Sequence, residues 1–287
     1  MKSNFLLNGC SAWRSIAMCL ISALFITGCG SGAGGGTSAG VGTGGTGSLA
    51  KTVSGKVADG YLANATVFLD KNGNYQLDAG EPSFITDNNG AYTFNVDASD
   101  MGKYPIVAHV IKGVTIDKDT NQAVVNSYVL SLPKDIVSAT VSNFISPITS
   151  QLHEMMESGM YINTQQATEA LRIKMGLPDG TDMMVDYIAT NNTPMHTAAQ
   201  NMATLMGNQM GQVLGMSGAT ITIDVNRYRS MMGTIYISMS SIMGTSTQAG
   251  MSNLNNTITT MLSNMPVTSV GQPYRNMSTA FRGMMGG

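Results

Sequence analysis

Near residue 133 the chain changes its hydrophobic period, and that switch constrains its fold more than any other feature. Before it, apolar residues alternate with polar ones or run as β-branched and aromatic stretches at 52–57, 65–69, 91–96, 106–111, 114–116 and 123–130. Turn residues separate these runs: Asp59-Gly60, Asn88-Asn89-Gly90 and Lys112-Gly113. A period of two with such punctuation predicts six or seven short strands and an antiparallel sandwich over 49–133.

Beyond 133 the period becomes 3.6. Ser146 before Pro147 reads as an N-cap with proline at N1, and Ile148, Leu152, Met155 and Met156 form a stripe ending at Gly159. Asn163 with Gln166 has the spacing of a capping box, and Gly176-Leu177-Pro178 stops that second helix. A third helix starts at Thr193-Pro194, and a fourth carries Tyr228, Met231, Met232, Ile235, Met239, Ile242 and Met243. A fifth carries Met251, Leu254, Ile258, Met261, Leu262 and Met265, and a short last one Met277, Phe281, Met284 and Met285. The expectation is a helical bundle over 134–287, so the fold class is α+β in two domains.

Of 24 methionines, 21 fall in this helical part. Met fills irregular gaps in a core, and the spacing is that of buried faces. Two other readings of the same stripes exist. Met202, Met206 and Met210, with Met195 and His196 a turn or two before, could offer thioethers to Cu(I) or Ag(I). A Met-rich surface could also bind hydrophobic partners.

The first 28 residues read as an address. Lys2 and Arg14 are positive, and residues 15–27 form an apolar run of 13, too short for a span of ~20 but suited to a signal peptide. The run ends in Ile26-Thr27-Gly28-Cys29, which resembles the lipobox of bacterial lipoproteins. That resemblance implies cleavage before Cys29, a diacylglycerol on its thiol and, with Gly30 following, the outer membrane. Cys10 and Cys19 would leave with the signal, so the mature chain would have no disulfide and no thiolate metal site. Residues 30–48 hold 10 glycines in 19 positions, a composition that cannot repay its ordering entropy. As a coil, this tether spans ~25 Å r.m.s. and stretches to ~60 Å.

Residues 53–57 (VSGKV), 64–70 (NATVFLD) and 86–94 (TDNNGAYTF) resemble a transthyretin-like domain of the carboxypeptidase regulatory-like, Cna-B or Sdr-B type. The resemblance implies a β-sandwich of secreted and surface proteins with a structural or binding role and no catalysis of its own. Between these strands, residues 70–81 read DKNGNYQLDAGE. Counted as a 12-residue EF-hand loop, Asp70, Asn72, Asn74, Gln76 (through its carbonyl), Asp78 and Glu81 fall at positions 1, 3, 5, 7, 9 and 12. Calcium takes six or more hard oxygens, which this alternation supplies, and three carboxylates suggest a dissociation constant of ~10⁻⁴–10⁻³ M. Tyr75 stands at position 6, where the consensus has Gly for the sharp turn. The other reading is a polar inter-strand turn. A second stretch, Ser142 to Thr149 with Ala167 to Pro178, resembles a helical segment that follows such β domains in secreted bacterial proteins.

No G-x-S-x-G elbow, P-loop or dinucleotide fingerprint occurs. His153-Glu154-Met155-Met156-Glu157 is one residue from the zincin pattern and lacks an evident third ligand, so it reads as a charged outer face. His109, inside an apolar strand, reads as a packed or edge residue, and Arg227 and Arg229 read as solvated. Fifteen basic against 17 acidic residues, and nine acidic against six basic in 49–133, argue against nucleic acid. The expectation is an outer-membrane lipoprotein, held to the membrane by lipid on Cys29, with an envelope protein or polysaccharide as partner and calcium as structural ion. Its alternatives are a soft-metal (copper or silver) protein and an envelope hydrolase without a sequence-local motif.

Overall fold

A computed structural model describes residues 49–217, 220–245 and 247–264. The expected signal, Cys29, the expected tether and the last expected helix lie outside these residues. Twelve strands run in chain order: β1 (Ala50–Val57), β2 (Leu62–Ala63), β3 (Thr66–Leu69), β4 (Ser83–Ile85), β5 (Ala91–Asp97), β6 (Ile106–Val110), β7 (Ile116–Asp117), β8 (Gln122–Ala123), β9 (Tyr128–Leu132), β10 (Asn143–Ile145), β11 (Leu214–Ser217) and β12 (Thr220–Ile223). Among the described residues six α-helices accompany them: α1 (Pro147–Glu157), α2 (Thr164–Lys174), α3 (Thr193–Val213), α4 (Val225–Ile237), α5 (Met239–Gly244) and α6 (Gln248–Ser263). The fold is therefore mixed α+β with largely antiparallel sheets. None of these helices is long and apolar enough to cross a membrane.

Alternation builds the first sheet, ordered β10-β1-β5. Val53 and Val57 of β1 and Tyr92, Phe94 and Val96 of β5 are buried, while Ser54, Thr93 and Asn95 between them face solvent. β1 runs antiparallel to β5 and parallel to β10, with Gly55 opposite Asn143. A Cβ at Gly55 would lie 1.8 Å from the Asn143 carbonyl oxygen, so only glycine lets the strands close. The turn into β5 uses Gly90 at φ +71°, where a Cβ would also press on the Val57 carbonyl at 2.8 Å.

The second sheet, β4-β3-β6-β9, is different. All of β9 and most of β3 and β6 are buried, as in a strand covered on both faces. One cover is helical: α1 packs on β9, its Ser150 hydroxyl accepting from the Ser131 N–H and its Thr149 hydroxyl donating to the Ser131 carbonyl. A small third sheet, β2-β7-β8, completes the strand-rich part, and β11 and β12 form a hairpin.

Helix starts follow local chemistry. Ser146 and Thr149 close a reciprocal capping box over Pro147. Asn163 caps α2 through the Gln166 N–H, but the Gln166 side chain accepts from Ile162 instead of Asn163, so the expected box is half formed. The α3 cap is Asn192, one residue ahead of Thr193-Pro194, and Asp224 caps α4. The expected fourth helix is two, α4 and α5, with Ser238 between them.

The described residues fall in one compact unit, and one hydrophobic cluster runs without interruption from Val53 of β1 to Leu262 of α6. The expected border near 133 marks a change of period and does not divide the core. Burying β9 on both faces needs a layer beyond the sheet, and α1 and α3 supply it, with the Tyr228 hydroxyl of α4 reaching the Val129 carbonyl. The strand after the border, β10, returns to pair with β1.

Candidate functional site

The loop at 70–81 joins β3 to β4, and its geometry grows out of Asp70. This carboxylate is buried at the strand end. Its Oδ1 accepts from the N–H groups of Asn72 (3.3 Å), Gly73 (2.8 Å) and Asn74 (3.3 Å), and its Oδ2 from Tyr75 (2.9 Å). Each later side chain ties the loop again. Asn72 Oδ1 accepts from the Asn74 N–H and Asn74 Oδ1 from the Gln76 N–H. Glu81 reaches back with one oxygen on the Lys71 N–H (2.7 Å) and the other on the Asp78 N–H (2.9 Å).

Three side-chain ends converge. The amide groups of Asn72 and Asn74 both donate to Asp78 Oδ2, each at 2.7 Å. No group of three or more His, Cys, Asp or Glu side chains is gathered to hold a metal ion among the described residues. An ion here would therefore need amide and carbonyl oxygens beside the carboxylates, with the two Asn amides turned oxygen-inward, and calcium accepts that mixture. The turn itself fits: Tyr75, at position 6, has φ +60°, the left-handed conformation for which the consensus uses Gly. For a residue with a Cβ that conformation costs about 1–2 kcal/mol.

The Tyr75 side chain offsets that cost. It is 1% exposed and leaves the loop for the junction between sheet and helices. Its hydroxyl donates to Glu154 Oε1 of α1, and its ring lies 4.9 Å from Tyr228 of α4 and 6.0 Å from His153. Its carbonyl oxygen is 2.6 Å from His109 Nε2 of β6. Burial pushes His109 down from its usual range, so the ring is neutral and donates this bond.

The charged residues around it correct the surface reading of the H-E-x-x-E stretch. His153 and Glu154 are buried, because α1 is covered along most of its circumference by β9, α2, α3 and α4. Arg229, expected in solvent, sits with its guanidinium 3.3 Å from both Glu154 and Glu157, and Lys134 lies 4.0 Å from Glu157. Arg227 is also largely covered, near Asp224 and donating to the Gln212 carbonyl. Burial raises Glu154 to about 7 against the opposing pull of Arg229, and it lowers His153 to about 3, with Arg229 and Lys134 adding to the effect. This is a paired polar seam between α1 and α4.

The five residues of the thioether set all lie on α3. Met195, Met202 and Met206 are fully buried and Met210 nearly so, all within the continuous apolar core. The His196 ring stacks on Tyr187 at 5.6 Å and its Nε2 meets Asp119 at 2.7 Å.

A second acidic group surrounds Gly60. Asp117 and Asp119 crowd the side of Gly60 where a Cβ would stand, within 2.6 Å of it. Asp59 beside them accepts from the Tyr128 hydroxyl at 2.6 Å through Oδ2, while its Oδ1 is buried without a hydrogen-bond partner. Burial first, then the neighbouring Asp117 and Asp119, push Asp59 up to about 7. A cavity of about 280 Å³ opens here, lined by Asp59, Asp117, Gln122, Asn126 and Asn208 among others.

Sequence reasoning found the loop and missed its anchor. Tyr75 was visible only as a departure at the glycine position; its partner Glu154 lies 79 residues on. Asp59 carried no signal beyond its place in a turn. Comparison with protein families, with curated proteins and with solved structures finds no match to this chain.

Proposed function

We propose that the chain is a cell-envelope lipoprotein, held to the outer membrane by lipid on Cys29, with a structural or binding role toward an envelope protein or polysaccharide. In this reading the sheets of β1 to β9 are a transthyretin-like sandwich, and the loop at 70–81 takes calcium as a structural ion. The observation that carries the ion is the loop's conformation. Asp70 organises four successive N–H groups, the sixth position is left-handed, and Asn72, Asn74 and Asp78 meet at one point. Asp70, Asn72, Asn74, Asp78, Glu81 and the Gln76 carbonyl would hold the ion, which supplies the charge that three carboxylates demand. The burial of Met202 and Met206 supports a core role for the helical methionines.

The test uses the chain extracted from membranes in detergent, with Cys29→Ala expected to release it to the soluble fraction. Calorimetric titration should give one calcium site at ~10⁻⁴–10⁻³ M, lost in Asp70→Ala. A chain that gives no binding heat at several millimolar calcium overturns the ion site.

A further inference from the structure

We infer that Tyr75 couples ion binding in the loop to the packing of α1 and α4 on the sheet. The inference rests on the calcium reading above and extends it from a local ion to the junction where strands and helices meet.

One residue belongs to both places. The Tyr75 N–H is held by Asp70, the first residue of the loop, and its carbonyl faces His109 of β6. Its hydroxyl bonds Glu154, and its ring rests on Tyr228, whose own hydroxyl donates to the Val129 carbonyl of β9. Glu154 and Glu157 then meet Arg229 of α4. A ligand that fixes Asp70 therefore fixes the backbone from which the Tyr75 ring projects. A junction that fixes the ring in turn presets the loop. Coupling of this kind is reciprocal: whatever calcium does for the junction, the junction does for calcium affinity.

The arrangement also explains the departure from glycine. A glycine would make the turn without steric cost and leave a loop unconnected to the helices. Tyrosine accepts the left-handed backbone and gains a buried, doubly anchored side chain.

The test reads both directions on the full chain with calcium chloride. By hydrogen exchange, saturating calcium should slow amides in α1 and α4 as well as in the loop, by severalfold each. Tyr75→Phe keeps the ring and loses the hydroxyl, and it should bind calcium while losing that slowing in α1. From the helix side, Glu154→Met removes the hydroxyl's acceptor without touching the loop and should weaken calcium binding by roughly three- to tenfold, through lost preorganisation. Glu154→Gln removes the charge but keeps an acceptor, so its affinity should match the wild type and exclude a simple Coulomb effect.

If the wild-type chain binds no calcium, the ion site and the coupling both fall. Binding by the wild type with slowing confined to 70–81, and unchanged affinity in Glu154→Met, leaves the ion site standing and overturns the coupling alone. Should Glu154→Met fail to fold, the Tyr75→Phe exchange pattern decides. Slowing of α1 as in the wild type would refute the role of the hydroxyl.

Discussion

Asp59 makes the stability of this fold depend on pH in a direction opposite to that of ordinary surface carboxylates. Its usual value is 3.8 and burial beside Asp117 and Asp119 raises it to about 7, a difference of about 3 units. Between pH 4 and 7 the folded chain therefore keeps a proton that the unfolded chain has released. The Asp59 contribution to stability is fully present below about pH 4 and is lost as the pH rises through 7. At about 1.4 kcal/mol per unit the ceiling is about 4 kcal/mol, and relaxation around the cavity lowers the expected change to about 2–4 kcal/mol. Asp59→Asn keeps an oxygen for the Tyr128 hydroxyl and removes the charge. Urea unfolding of both chains, from pH 4.5 to 8, should show the variant gaining on the wild type by that amount as the pH rises, then a plateau. Glu154 is unchanged in both, so its own titration cancels in the difference. A difference between the chains that stays flat across the range would refute the buried, partnerless oxygen as its cause.

Two further expectations concern packing. Gly55→Ala places a methyl 1.8 Å from the Asn143 carbonyl oxygen, so β1 and β10 must separate; thermal or urea unfolding should show a loss of about 3 kcal/mol or more. Met206, fully buried, should cost about 2–5 kcal/mol as Met206→Ala and less than about 1.5 kcal/mol as Met206→Leu, measured the same way, because the core needs its volume and not its sulfur.

The strands with clean alternation were legible, since β1 and β5 need only a local pattern and a turn on either side. Caps were legible for the same reason: Ser146, Asn163 and the start of α3 lie where side chain and backbone meet within three residues. Burial of charge was not. The stretch around His153 looks amphipathic and solvent-facing until Arg229, 75 residues beyond Glu154, arrives from another helix to pair with it. The same holds for Tyr75, whose misfit to the loop pattern was local and whose explanation was not. The continuous core also escaped notice, because β9 reads as a short apolar run whether one of its faces is covered or both are.

The placement of β1 has a mechanical consequence. It is the first described strand and lies between two others, antiparallel to β5 and parallel to β10. A pull arriving from the N-terminal side enters at Ala50 and runs along the strand axis. Its ladder bonds to both neighbours are then strained together, in shear, and do not open one after another like a zipper. Any force transmitted from the proposed anchor at Cys29 would thus meet the fold where the hydrogen-bonded network resists it collectively, and the parallel strand donated from beyond residue 133 adds three residue pairs to the seven made with β5.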